Sequence, residues 1–236
     1  MQKILSTMRK AVEKYKLIED GDKIAVGLSG GKDSLVLLKA LKMFQRFGIY
    51  DYQIVAVTID IYSGNEDYLY LKQFCDDLGV ELIIEQTDIH QVVFEERKEK
   101  NPCSLCAKMR RGALNSVATK YGCNKLALGH HLQDVIETFF LSLLYEGRLS
   151  TMKPKSYMSN SNITLIRPLF LTHEKSIRSV SKDFPVKKSK CPADKYSKRQ
   201  DVEKLIEQIN TLIPDSKKRI ESAIISTESY NLLDKE

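Results

Sequence analysis

Six polar and glycine residues, Ser29-Gly30-Gly31-Lys32-Asp33-Ser34, stand between two apolar runs at positions 24–28 and 35–38. The first run has the length and branched side chains of a buried strand, and the second continues in a helical pattern, so the six residues form a strand-to-helix turn. Paired glycines let the backbone approach an anion closely. The helix that follows directs its unsatisfied N–H groups and its positive end at the same point, and Lys32 adds a cation.

The alternation continues along the chain. Strand-like runs at 23–28, 53–60, 81–86 and 125–129 alternate with helical patterns at 34–47, 67–78, 104–121 and 132–145. Such a sequence predicts an α/β fold: a doubly wound, mainly parallel sheet with helices on both faces. Ligands in such sheets bind at the carboxyl ends of the strands, where Ser29, Asp60 and His130 fall. Ile4, Leu5, Met8 and Val12 recur at helical spacing, so 1–19 reads as an amphipathic helix. The polar stretch 150–162 reads as a mobile loop over the site, 163–167 as one more strand, 173–183 as a helix, and 197–210 with 215–226 as a C-terminal helical pair. The expected division is an N-terminal helix over 1–20, a nucleotide-binding α/β domain over 21–170 and a small helical C-terminal part over 171–236. At 236 residues and 42% apolar content the chain can bury such a core.

A Walker P-loop requires a glycine where Val26 stands and a metal-binding hydroxyl where Asp33 stands. SGGKDS instead resembles the pyrophosphate loop of the PP-loop ATP pyrophosphatases, which cleave ATP between the α- and β-phosphates. That resemblance implies the adenine nucleotide alpha-hydrolase-like fold, with ATP as cosubstrate and Mg2+. By it, Ser29, Gly30, Gly31, Lys32, Asp33 and Ser34 hold the β- and γ-phosphates, Lys32 stabilises departing pyrophosphate and Asp33 engages magnesium. Asp60 and the Gly129-His130 backbone frame adenosine. Asp134, in the first turn of the next helix, is a second candidate for metal or catalytic work, or a carboxylate complementing the helix dipole.

Of five cysteines, Cys103 and Cys106 form a CxxC after Asn101-Pro102 at the start of a helix, whose positive end favours thiolate. Cys191 lies in a basic loop. Cys75, on an apolar helix side, and Cys123, before a strand, read as structural. Three thiolates without a fourth ligand suit an iron-sulfur cluster with one open iron better than closed zinc, for which His90, His131 or Cys123 would have to complete the set. Redox or unliganded thiols are the third reading.

SGGKDS, the segment CSLCAKMRRGAL, then GHHLQDVIET, Arg167-Pro168-Leu169 and Glu174-Lys175 occur in the order seen in the tRNA 2-thiocytidine synthetases, which the chain resembles over roughly 20–200. Where that family often has a second cysteine after its third ligand, Pro192-Ala193-Asp194 follow Cys191. The resemblance implies an ATP-dependent tRNA sulfurtransferase that adenylates the C2 carbonyl oxygen of a pyrimidine, cytidine 32 of the anticodon loop. Sulfur then replaces that oxygen, delivered by a 4Fe-4S cluster on Cys103, Cys106 and Cys191, and AMP and pyrophosphate are released. The implied partners are tRNA, ATP and a sulfide or persulfide donor.

Lysine and arginine exceed the acids by six. The excess gathers in clusters, and Arg110, Arg111, Lys188, Lys190 and Lys195 are the candidates for contact with RNA. Tyr157 and Tyr196 can stack on bases. No apolar run reaches the length of a membrane span and charges run through 1–16, so the expectation is a cytoplasmic protein with no membrane partner; a homodimer is left open. Two rivals are an adenylating enzyme with a nitrogen nucleophile, of the lysidine synthetase kind, and a non-catalytic, zinc-stabilised RNA-binding module.

Overall fold

The computed structural model describes residues 1–64, 66–97, 102–187 and 198–226. Their packing falls into two compact units. The first takes in residues to His131 and those from Lys153 to Lys187, and it contains the whole sheet.

In this unit the chain runs α1 (Gln2–Tyr15), β1 (Asp22–Gly27), α2 (Lys32–Gln45), β2 (Tyr52–Asp60), α3 (Leu69–Leu78), β3 (Glu81–Gln86), α4 (Pro102–Lys120) and β4 (Lys125–Ala127). After the excursion into the second unit, which carries α5 (Leu132–Glu146), come β5 (Lys155–Met158), β6 (Ile163–Ile166) and α6 (Glu174–Val180). The six strands are ordered β3-β2-β1-β4-β6-β5. All neighbours pair in parallel except β5, which returns antiparallel on β6. Strand order reverses between β1 and β4, with Val26 opposite Ala127, and this opens a crevice at their carboxyl ends.

Side chains alternate between the two faces. Ile24, Val26 and Ala56 join the core under α1, α2 and α6, whereas Ala25, Val55 and Val57 join the core under α4. At the opposite edge Lys125, 3% exposed, is ion-paired with Asp22 at 2.6 Å and Glu19 at 2.9 Å. That pairing is what makes its burial tolerable.

The second unit holds α5 (Leu132–Glu146), α7 (Lys198–Leu212) and α8 (Ser216–Ile225). Val135, Ile136, Val202 and Ile206 are buried there, with α7 and α8 packed on α5.

Two expectations need correction. The stretch 150–162 is not a loop throughout: β5 lies within it, a four-residue edge strand too short and too polar to give a clear alternating signal. The first helix stops at Tyr15, where Lys16 turns left-handed (φ 49°), so Leu17 and Ile18 are buried from an irregular segment. A π-helical turn, Gln91–Glu96, was not foreseen. Among the described residues no helix is long and apolar enough to cross a membrane.

Candidate nucleotide and thiol site

The turn after β1 is held by its own two serines. Ser34, 5% exposed, donates from Oγ to the Gly31 carbonyl at 2.9 Å and accepts from the Ser29 amide at 3.2 Å. Gly31 is the N-cap of α2, and among the described residues no side chain caps the helix, so the N–H groups of its first turn have no partner from the cap. Two glycines are required by geometry. Gly30 has φ +77° with the Tyr70 hydroxyl where a Cβ would stand, and a Cβ on Gly129 would lie 2.9 Å from the Asp33 carbonyl carbon and 3.1 Å from the Ser34 nitrogen. The end of β4 therefore lies directly on the first turn of α2.

Lys32 Nζ lies 3.0 Å from Asp33 Oδ2 and 3.1 Å from Glu174 Oε1, and Arg178 holds the same Glu174 oxygen at 2.9 Å. Burial pulls the Lys32 pKa down, but the two carboxylates outweigh it and the net shift is upward. For Glu174, burial pushes upward and is outweighed by Arg178 and Lys32, so its carboxyl titrates below the ordinary range. The other Asp33 oxygen faces His131 Nε2 at 3.5 Å. Loop and helix together concentrate N–H groups and a charged lysine at the crevice, the composition of a polyphosphate site.

Around this loop the sites anticipated for adenosine have definite partners. Asp60 is 1% exposed and accepts from the amides of Tyr62 (2.9 Å) and Gly64 (2.7 Å), so its carboxylate shapes the loop after β2. Its charge, after burial, also helps push the Tyr68 hydroxyl pKa up. His130 accepts at Nδ1 from Arg167 Nε at 3.1 Å, and Arg167 also donates to the Lys153 carbonyl. Asp134 and Glu137, in the second unit, both bind Arg199 Nη1 at 2.9 Å. Burial raises the Glu137 pKa. The dipole-complement reading of Asp134 is thus joined by a specific ion pair.

The cysteine pair sits on the same edge of the sheet as the phosphate loop. The C-terminus of α4 leads through a tight turn into β4, so the helix runs antiparallel to that strand and its N-terminus points to the strands' carboxyl ends. A Cβ on Gly27, the last residue of β1, would stand 3.5 Å from Leu114 of α4. From Leu114 back to Cys106 the helix rises about 12 Å, which lifts the thiols past the strand ends. Cys103 is exposed and Cys106 half-buried, one turn apart, with Arg110 on the same face a turn later. Arg111 is exposed on an adjoining face.

Cys191, Lys188, Lys190 and Lys195 lie outside the described residues, as does Tyr196. The last described residue before them, Lys187, is fixed to the loop: its amide donates to the Gly30 carbonyl at 3.3 Å, and its Nζ donates to the Asp67 carbonyl while lying 4.2 Å from the Tyr70 ring centroid.

The remaining cysteines are buried, Cys75 at 0% and Cys123 at 5%. Burial pushes the Cys75 thiol up to about 12 and Cys123 also upward, away from the thiolate form that binds metal. His90 stacks between Tyr62 and Phe94, each centroid 4.9 Å away. Among the described residues no three His, Cys, Asp or Glu side chains gather as a metal site. Arg167 and Glu174 fall within motifs, but their partners, His130 and Lys32, are remote in sequence, so only the fold reveals these contacts.

The PP-loop domain family matches residues 2–187. Curated relatives include the tRNA-cytidine(32) 2-sulfurtransferase of Citrifermentans bemidjiense, 36% identical over 99% of this chain and 93% of its own length. That of Geobacter sulfurreducens is 37% identical over 100% and 93%. Among solved structures, the U34-tRNA thiolase of Methanococcus maripaludis with its 4Fe-4S cluster superposes with a TM-score of 0.75 at 26% identity, over 93% of this chain and 76% of that one. With its phosphate-loop fold and full-length identity to these relatives, the chain belongs to the PP-loop family of the tRNA-cytidine(32) 2-sulfurtransferases.

Proposed function

We propose that the protein is an ATP-dependent tRNA sulfurtransferase that converts cytidine 32 to 2-thiocytidine. The observation that carries this reading is the shared edge: the phosphate loop and the Cys103–Cys106 pair both stand at the carboxyl ends of the parallel strands. The C2 oxygen of the base attacks the α-phosphorus of ATP, and the bond to pyrophosphate breaks. Sulfide then adds at C2, the C2–O bond breaks, and the oxygen departs with the bonding electron pair as part of AMP. Supplied as sulfide, the sulfur needs no oxidant or reductant; a persulfide donor would need two electrons from a reductant.

The first step draws on the loop. N–H groups of the first turn of α2 and Lys32 stabilise charge on pyrophosphate as it departs, and Asp33, paired with Lys32 and facing His131, would engage magnesium. The rigid contact of Gly129 with α2 keeps these donors aligned.

For the second step, an exposed and a half-buried thiol at a positive helix end suit a cluster, and the buried Cys75 and Cys123 do not. The third ligand we assign is Cys191. It follows Lys187 by four positions, and four residues of chain span at most about 14 Å. When bound to three thiolates, a 4Fe-4S cluster has one iron left to carry sulfide. Cys103, Cys106 and Arg110 share a helix face, so the guanidinium is available to AMP or tRNA phosphate.

Anaerobic reconstitution with iron and sulfide, then mass spectrometry of nucleosides from tRNA incubated with ATP, magnesium and sulfide, tests the reading. 2-Thiocytidine that depends on ATP is the expected product. A colourless, iron-free protein that releases pyrophosphate with tRNA but forms no thiolated base would favour the nitrogen-nucleophile rival. No tRNA-dependent pyrophosphate release at all would favour a binding module.

A further inference from the structure

Acidic residues make up 31 of 236 positions, yet none occurs from 100 to 133 or from 147 to 173. The fold brings parts of these two acid-free stretches together, for α4 comes from the first and the β5–β6 hairpin from the second. Between them lies an open groove of about 950 Å³. On the α4 side Gly112, Asn115, Ser116 and Thr119 recur at helical spacing with Lys120 beside them; on the hairpin side are Tyr157 and residues 158–162. Among the described residues no carboxylate lines it. One turn toward the N-terminus, Lys108 and Arg111 continue the α4 side toward Cys106.

The lining is chemically specific. Tyr157 is 66% exposed, and its hydroxyl donates to Asn162 Oδ1 at 2.9 Å, so the ring is held in an orientation while exposed. Asn115 donates weakly to the Met158 sulfur at 3.5 Å, and its Oδ1 is buried with no hydrogen-bond partner among the described residues. Hydroxyls, amides and a lysine, with no acid among them, suit a polyanionic ligand that brings its own hydrogen-bonding groups. A protein partner would be expected to find apolar anchors, and here there are few. RNA offers phosphates for lysine and arginine, 2′-hydroxyls and base edges for asparagine, serine and threonine, and a base to stack on tyrosine.

We infer that the groove between α4 and the β5–β6 hairpin is a docking surface for the RNA strand of the tRNA substrate, separate from the reacting nucleotide, and that α4 guides that strand toward its cysteine-bearing end. This rests on the proposed function and adds to it the surface that grips the substrate.

The test is the affinity of the full-length protein for unmodified tRNA over a range of salt concentrations, with ATP affinity measured in parallel. Ser116→Glu with Lys120→Glu, both exposed positions, should weaken tRNA binding about tenfold and flatten the salt dependence. Tyr157→Ala should weaken binding about tenfold with little change in salt slope. Lys72→Glu, an exposed charge reversal on α3, should stay within about twofold, and ATP binding should be unchanged in all three. Groove variants that bind tRNA as the native protein does, while the native protein thiolates it, overturn this surface and leave the function standing. A native protein that binds no tRNA removes both.

Discussion

Replacing Gly129 with alanine tests whether the end of β4 is seated on the phosphate-binding helix. The new Cβ would meet the Asp33 carbonyl carbon at 2.9 Å, its oxygen at 3.0 Å and the Ser34 nitrogen at 3.1 Å. All three are backbone atoms, so no side chain can rotate away; ordinary contact requires the two segments to part by about half an ångström. Overpacking of this kind costs about 1–3 kcal/mol. For a chain of this size each kcal/mol moves Tm by about 2–4 °C, so the expected fall is about 2–12 °C. The displaced atoms belong to the first turn of α2, whose N–H groups are proposed to converge on phosphate, so ATP affinity should fall as well. Gly112→Ala is the matched control. Among the described residues nothing lies within 4 Å of its Cβ position and it sits inside α4, so it should gain up to about 1 kcal/mol. Thermal melts and isothermal titration with a non-hydrolysable ATP analogue read both effects. A Gly129→Ala protein with native Tm and native nucleotide affinity would refute the proposed seating.

Further expectations concern charge and thiols. Glu174→Gln should cost about 1–3 kcal/mol at neutral pH by removing the carboxylate between Lys32 and Arg178. Because the folded Glu174 pKa is lowered, its contribution is present above the ordinary value of 4.5 and fades as pH falls through the folded value. Lys32 is shifted upward, so its share holds below 10.5 and is lost only at more alkaline pH. Denaturant melts should therefore show a variant-to-native gap that is constant from about pH 6 to 9 and closes in acid; a constant gap at pH 3 would contradict this. Cys103→Ala, Cys106→Ala and Cys191→Ala should each abolish iron incorporation and thiolation, whereas Cys123→Ala should retain iron and lose stability. Full activity in Cys191→Ala would exclude it as a ligand.

The strand-turn-helix unit at Ser29–Ser34 could be read from sequence because its chemistry is local: glycines, a lysine and a helix start within six residues. The sheet was readable for a related reason, since β1 and β2 are buried on both faces and appear as continuous apolar runs. The edge strand β5 gave no such signal, with Ser156 and Tyr157 standing in a polar neighbourhood. Contacts that tune the site were invisible for a different reason. Lys32 meets Glu174, and His130 meets Arg167, only because strand order reverses between β1 and β4 and returns β6 beside β4. Asp60 lies at a strand's carboxyl end as expected, but sequence alone could not reveal that its oxygens would be taken by the Tyr62 and Gly64 amides.

In the proposed mechanism ATP and the thiol-borne cofactor work within one centre, and magnetic coupling between them measures that directly. In protein reconstituted anaerobically and reduced, a manganese complex of a non-hydrolysable ATP analogue should speed the electron spin relaxation of the cluster and broaden its resonance, and Lys32→Ala should weaken the effect by lowering occupancy. A cluster signal that stays unchanged while titration shows the manganese nucleotide fully bound would contradict the shared centre.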